Sequence, residues 1–166
     1  MKKIILAVIA VMAFGFANAQ EQTAKGKWLI ETNTGFGATQ VGATGFQLSS
    51  SDGETTWSLG AEGGYFVADN LAVKVGLGYN DLGHSLNAFS YKVGAKYYLL
   101  NKFPLEASYT GASVKNADAA SFVGLQGGYA LFLGKNISVE PGLRYNFSLN
   151  DYADVFQFNV GFALHF

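Results

Sequence analysis

From Lys27 to the C-terminus, apolar side chains alternate with small or polar ones at a period of two. No other feature of the chain constrains its fold as strongly. The alternation recurs in eight segments, spanning residues 27–36, 57–65, 71–79, 89–99, 105–111, 123–131, 137–147 and 156–166. Each is long enough for a strand, and a period of two gives a strand two unlike faces. One face carries runs such as Leu71, Val73, Val75, Leu77 and Tyr79. The other carries Glu31, Glu62, Lys74, Lys92, Lys96, Glu106, Glu140 and Arg144, interspersed with glycines such as Gly60, Gly76, Gly78 and Gly124. A soluble sandwich also alternates, but its apolar faces point inward. Glycine beside long charged side chains fits a narrow closed interior better, because glycine leaves room for a neighbouring Lys or Glu to lie across it.

The connections alternate as well. Polar stretches at 37–54, 80–87, 113–120 and 148–154 alternate with tight turns at 67–70, 100–102 and 133–136. Long connections at one end and short ones at the other describe a membrane barrel with short periplasmic turns and longer external loops. The aromatic residues divide in the same way. Trp28, Tyr65, Tyr97, Tyr129 and Phe162 fall at the short-turn ends of their strands, and Trp57, Tyr79 and Tyr145 at the long-loop ends. The middle of the apolar face is mostly aliphatic. Two aromatic rings around an aliphatic band mark the two interfaces of a bilayer. The fold class expected is therefore all-β, an eight-stranded antiparallel up-and-down transmembrane β-barrel.

The first twenty residues stand apart. Lys2 and Lys3 precede an apolar run from Ile4 to Phe16, and Ala17-Asn18-Ala19 supplies small residues for cleavage. This is the layout of a secretory signal peptide. The run is shorter than the roughly 20 residues of a spanning helix, and no later stretch is apolar enough to form one. The expected domains are a signal peptide over 1–19 and a barrel over 20–166. Gln20 rather than Cys follows the cleavage site, so no lipoprotein anchor is expected.

Composition excludes several functions. Charged residues make up 14% of the chain and the net charge is −1, which argues against a nucleic-acid partner. With no Cys there is no disulfide framework and no thiolate metal site. The two histidines are His84, in a polar connection beside Ser85 and near Asp81, and His165, on the inward parity. A lipase-like site at the outer rim would use His84 and Ser85, but no rigid strand holds them, so no catalysis is expected. His165 is better placed to cap the lumen floor. The external stretches hold Asp52, Glu54, Asp81, Asp118, Asp151 and Asp154 against Lys115. Divalent cations bridging lipid phosphates are one reading of that excess, and solvated loops the plainer one. The cluster Asn150-Asp151-Tyr152-Ala153-Asp154 lacks the ligands of a calcium loop. No cofactor or metal is expected. Gly76-Leu77-Gly78 has no following helix and is not a nucleotide motif.

Three features together resemble the small eight-stranded outer-membrane barrels of the OmpA/OmpX type. They are the signal peptide, the tight hairpin Gly64-Tyr65-Phe66-Val67-Ala68-Asp69-Asn70-Leu71, and the ending Val160-Gly161-Phe162-Ala163-Leu164-His165-Phe166. The resemblance implies a bacterial outer-membrane location, with lipid and lipopolysaccharide as surroundings. It also implies that Phe162, Leu164 and Phe166 form the C-terminal signal read by the barrel-assembly machinery. The family includes structural, adhesive and enzymatic members, so it specifies activity poorly. The sequence departs from it in two respects. No periplasmic peptidoglycan-binding domain is expected after the barrel, so that anchoring role is not expected. Pro141 lies inside a strand, where it removes a ladder bond, and a local bulge near the periplasmic end is the expected accommodation.

The functional expectation is a non-enzymatic barrel with a filled lumen, acting in structure or surface interaction through its external loops, with an unidentified loop ligand. A small passive channel is the alternative, and a lipid-modifying enzyme a more distant one. The inward parity carries four acids and four bases. A base on the lipid face instead would cost roughly 2–4 kcal/mol near the midplane. Inside, the balanced set suggests pairing across the lumen, with the partners left open. Export makes a direct prediction: the intact mass of the membrane-extracted protein corresponds to a chain beginning at Gln20, not to one retaining Lys2 and Lys3.

Overall fold

The computed structural model describes residues 22–37, 43–51, 54–83, 86–115 and 118–166. The strands are β1 (Trp28–Gly37), β2 (Gln47–Ser51), β3 (Glu54–Ala68), β4 (Leu71–Asp81), β5 (Asn87–Leu99), β6 (Phe103–Val114), β7 (Ala120–Gly128), β8 (Leu131–Phe132), β9 (Ile137–Ser148) and β10 (Val155–His165). Neighbours in the sheet pair antiparallel, in the order β1-β10-β9-β7-β6-β5-β4-β3. β1 also pairs with β3, from Trp28↔Tyr65 to Glu31↔Glu62, and this closes the sheet into an eight-stranded barrel. Residues 1–19, the expected signal peptide, lie outside the described residues, as do His84, Ser85 and Asp52.

Alternation sorts the side chains between two environments. On β4, Val75 is 61% and Leu77 59% exposed, whereas Lys74 between two such residues is 1% exposed. A soluble protein does the reverse. The apolar face is turned outward all around the barrel, and the charged face is turned into the lumen. The exposed apolar band is what an acyl-chain surrounding requires, and the pairing of β1 with β3 removes the sheet edge over the half of the wall nearest the short turns.

The connections follow the expected long and short pattern, with two differences. The expected first loop, 37–54, is not all loop. Its second half forms β2, which pairs with the outward extension of β3 from Gln47↔Ser58 to Ser51↔Glu54. The expected bulge at Pro141 is instead an interruption. β7 and β8 are one wall strand broken opposite the proline, and the register is the same on both sides, Gly128↔Gly142 and Leu131↔Val139. Proline has no N–H to give, but its carbonyl still accepts from Tyr129 N–H at 3.0 Å. The Ala130 N–H turns away to the Lys102 carbonyl at 2.7 Å. In the turn between β5 and β6, Leu100 (φ 53°) and Asn101 (φ 59°) both take left-handed backbone. Two successive positive φ values give the turn a primed hand, closed by Lys102 N–H on the Leu99 carbonyl at 3.1 Å, within a three-residue connection between Leu99 and its partner Phe103.

A barrel closed in this way resists detergent until it is heated. The folded protein is expected to require detergent for extraction and to migrate differently on SDS gels before and after boiling. A form that stays soluble without detergent and unfolds in SDS at room temperature would point to a soluble sandwich.

Candidate functional site: the filled lumen

Eight charged side chains meet inside the barrel, and every acid among them touches a base. Lys74 on β4 sits at the centre. Its Nζ lies 2.9 Å from Glu31, 2.8 Å from Glu62 and 2.7 Å from Glu106, reaching carboxylates on β1, β3 and β6. Lys92 lies 2.5 Å from Glu62 and 4.0 Å from Glu106. Lys96 joins Glu31 at 2.7 Å and Glu140 at 2.5 Å. Arg144 on β9 binds Glu106 at 3.0 Å. The pairing that the sequence leaves open is thus one connected network, with Arg144 assigned to Glu106 and Lys96 to Glu140.

Neutral groups supply the remaining hydrogen bonds. Arg144 donates from Nε to Asn146 at 2.8 Å, from Nη1 to Gln126 at 3.2 Å and from Nη2 to Ser108 at 2.6 Å. Asn33 donates to Glu31 at 2.9 Å. The small residues between the charges are part of the arrangement. A Cβ on Gly124 would fall 2.1 Å from the Arg144 guanidinium, and one on Gly76 would fall 2.9 Å from Glu62. Charges removed from water need this degree of satisfaction, because an unpaired buried ion is far more costly than a paired one.

Three further layers close the lumen, and apart from His165, expected at the floor, the residues that build them are not conspicuous in the sequence. Toward the short-turn end, Phe66, Tyr98 and Phe132 point inward and pack with Leu29, Ala72, Ala130 and Ala163. Tyr98 stands next to outward-facing Tyr97, and Phe66 next to Tyr65. Strict parity could have separated each pair into one inward and one outward ring. His165 lies in this layer, 1% exposed, with its ring 5.5 Å from that of Phe132. The Ser138 hydroxyl donates to Glu140 at 2.8 Å, so His165 Nε2–H donates to that hydroxyl, at 2.9 Å. Tyr98 also donates to Glu140, at 2.8 Å, and links the aromatic floor to the ionic layer.

Beneath the floor, residues 22–26 cross the mouth of the barrel. Gln22 and Thr23 are buried. Gln22 donates to the Gly134 carbonyl in the turn before β9. Thr23 donates to the Asn70 side chain at 2.5 Å, and Asn70 donates on to Asn101 at 2.9 Å. This strap ties together the three short turns.

At the other end, residues 43–45 dip into the barrel. Thr44 is 3% exposed and donates to Glu62 at 2.7 Å. A Cβ on Gly78 would fall 2.2 Å from the Ala43 carbonyl oxygen, and one on Gly60 2.7 Å from the Thr44 backbone. These two glycines therefore make room for an inserted loop, not for a lysine or glutamate. What remains above the ionic layer is a polar vestibule of about 40 Å³, room for a few water molecules.

The outward aromatic residues form cross-strand pairs. Trp28 packs at a tilt against Tyr65 at 5.0 Å between centroids, Trp57 likewise against Tyr79 at 5.7 Å, and Phe103 meets Tyr129 edge-on at 5.4 Å. Tyr145 lies 4.6 Å from Phe147, and Tyr97 and Phe162 are exposed on the same outer face. At the C-terminus, Phe162, Leu164 and Phe166 all face outward. No group of metal-ligating side chains is gathered among the described residues.

No protein-family profile matches the chain, and no curated protein matches it in sequence. Solved structures do match. The N-terminal β-barrel domain of Pseudomonas aeruginosa OprF aligns over 86% of this chain and 98% of its own, at 13% identity and a TM-score of 0.57. Yersinia pestis Ail in a phospholipid nanodisc covers 86% of this chain and all of its own, at 11% identity and a TM-score of 0.55. Neisserial surface protein A covers 86% and 98%, at 16% identity and a TM-score of 0.53. At these identities the likeness is one of fold. The chain shares with these small outer-membrane proteins the fold of a closed eight-stranded antiparallel barrel.

The network makes a stability prediction. Arg144→Met leaves Glu106 with one fewer partner and strips Asn146, Gln126 and Ser108 of a donor. Removing one member of a buried pair costs about 3–5 kcal/mol. Urea unfolding of the barrel in lipid vesicles is expected to show a loss of that order. The double variant Glu106→Leu/Arg144→Met is expected to recover part of it.

Proposed function

We propose that the protein is an integral protein of the bacterial outer membrane, a non-enzymatic barrel that presents its four external connections on a rigid and impermeable support. One observation carries this reading: the lumen is filled along its length by strap, aromatic floor, ionic network and inserted loop. A barrel with eight strands has an interior just wide enough for side chains, and here those side chains are joined in one network. The passive-channel alternative needs a water path through that network, and its opening would break several buried ion pairs together.

Residues 1–19 act in this reading as the export signal, and Phe162, Leu164 and Phe166 as the mark by which the barrel-assembly machinery accepts the chain. Outer-membrane lipid and lipopolysaccharide surround the apolar belt. Trp28, Trp57, Tyr65, Tyr79, Tyr97, Tyr129, Tyr145 and Phe162 anchor its two rims, where rings with an apolar body and a polar edge are most stable. Interaction with other molecules falls to the external connections, whose acidic character includes Asp81, Asp118, Asp151 and Asp154.

Planar-bilayer recording tests the proposal. The purified barrel is expected to give no steady porin-like conductance. Large, persistent conductance from the wild-type protein would overturn the filled-lumen reading and favour the channel.

A further inference from the structure

The seam that closes the barrel is only half zipped. Among the described residues the backbone ladder between β1 and β3 runs from Trp28↔Tyr65 to Glu31↔Glu62, and beyond it the Thr32 hydroxyl donates to the Gly60 carbonyl at 3.1 Å. The β4–β5 seam, by contrast, runs unbroken from Leu71↔Tyr97 to Asp81↔Asn87. Beyond Glu31, β2 stands between β1 and β3. It is bonded to β3, and among the described residues the chain entering it meets β1 at the parallel bridge Thr34↔Phe46, where Phe46 N–H donates to the Asn33 carbonyl at 2.8 Å and Gly45 packs against the same carbonyl. Among the described residues, Gly35, Phe36 and Gly37 have ladder partners only on β10.

The polar vestibule lies directly behind this gap. Asn33, Gly35 and Phe46 form its seam wall, and Ser58, Asn146 and Asn159 line it from within. Ser58 Oγ, Asn146 Nδ2 and Asn159 Oδ1 are buried and have no hydrogen-bond partner among the described residues. They comprise a hydroxyl, a donor and an acceptor, all uncharged. The charges below them, Lys92 and Arg144, are engaged by carboxylates. Outside the gap the surface is apolar: Phe36, Phe46 and Leu48 are each more than half exposed. Phe36 packs on Phe158 at 6.0 Å, at the outer rim of the belt.

We propose that the outer half of the β1–β2 seam binds an amphiphile of the outer leaflet. Its head hydroxyls enter the vestibule in place of water, and its chain lies over Phe36, Phe46 and Leu48. Three features select this occupant. The unmatched polar atoms are neutral, so hydroxyl groups suit them better than phosphate or ammonium. The gap opens at the depth of the aromatic rim, where head and chain meet. The vestibule is recessed behind a strand edge, where the flat apolar wall of another barrel does not reach. The plugged lumen below makes this a dead-end site and not an entrance to a pore.

Trp57, paired with Leu48 across β2 and β3, reports on the site once Trp28→Phe leaves it as the sole tryptophan. The barrel is placed in phosphatidylcholine vesicles and titrated with a dodecyl maltoside brominated on its chain. Brominated phosphatidylcholine serves as the reference for random contact. The expected result is saturable quenching, with half-quenching at a maltoside fraction about tenfold lower than the reference, a preference of ~1.4 kcal/mol. Thr34→Cys/Phe46→Cys then locks the seam in a chain that has no cysteine of its own. Oxidation is expected to abolish the preference, and the reduced pair, which lacks the Phe46 ring but keeps the vestibule, is expected to retain a weaker one. If the cysteine pair does not fold, Asn159→Leu takes its place, since it removes an acceptor and fills the vestibule, and it must bring half-quenching to the reference value. Equal quenching by the two lipids, or a preference indifferent to the lock, overturns the proposal. So does efficient cross-linking of Thr34→Cys alone into dimers, which would assign the seam to a second copy.

Discussion

The hydrocarbon interior of a membrane offers nothing to a backbone N–H or C=O, and from that constraint the rest of this structure follows. Every ladder bond must be made within the sheet, so the sheet must close. Closure gives the wall an outside that meets acyl chains and an inside that meets neither lipid nor bulk water. The alternating pattern satisfies the outside with Val75, Leu77 and their equivalents. It leaves every second residue of every strand in a space about one side chain wide. Polar residues there keep the exported chain free of long apolar runs, which would otherwise resemble a spanning helix. Once enclosed, the same residues must satisfy one another, and the ionic network is the result.

Buried ion pairs are poor evidence of stability in themselves, since desolvation offsets much of their attraction. Their geometry here suggests a different contribution. Lys74 on β4 meets acids from β1, β3 and β6, and Arg144 on β9 meets an acid from β6. Each base thus reports the position of several strands at once. A slip of one residue turns a strand's charges onto the lipid face, and a slip of two leaves them inside but out of reach of their partners. The network distinguishes the correct register from the second error, which alternation alone cannot do.

The sequence made much of this legible, because a period of two is a local signal. The strands, their count in the wall, the inward set from Glu31 to Arg144 and the outward aromatics all follow from parity. Pairing did not follow. Whether Arg144 meets Glu106 or Glu140 depends on the tilt and stagger of strands that are distant in sequence. The inward rings of Tyr98 and Phe66 were obscured by outward neighbours of the same type. Two irregular segments were also beyond reach: residues 43–45 and the strap at 22–26 follow no period, and their place is set by glycines and turns elsewhere. At Pro141 the sequence announced a defect but not its form, because the neighbouring Ala130 N–H finds its acceptor in a turn from another hairpin.

The strap also bears on the order of assembly. Gln22 is joined to a carbonyl 112 positions away, and β1 takes its longest ladder from β10, the last strand of the chain. The segment from Gln22 through β1 therefore has no complete berth until β9 and β10, synthesised more than a hundred residues later, have arrived. Folding cannot follow synthesis from one end to the other. The leading segment must be kept waiting, unpaired and shielded, through the whole passage to the membrane. The closing of the cylinder and the seating of its stopper are then late steps that depend on the same arrival.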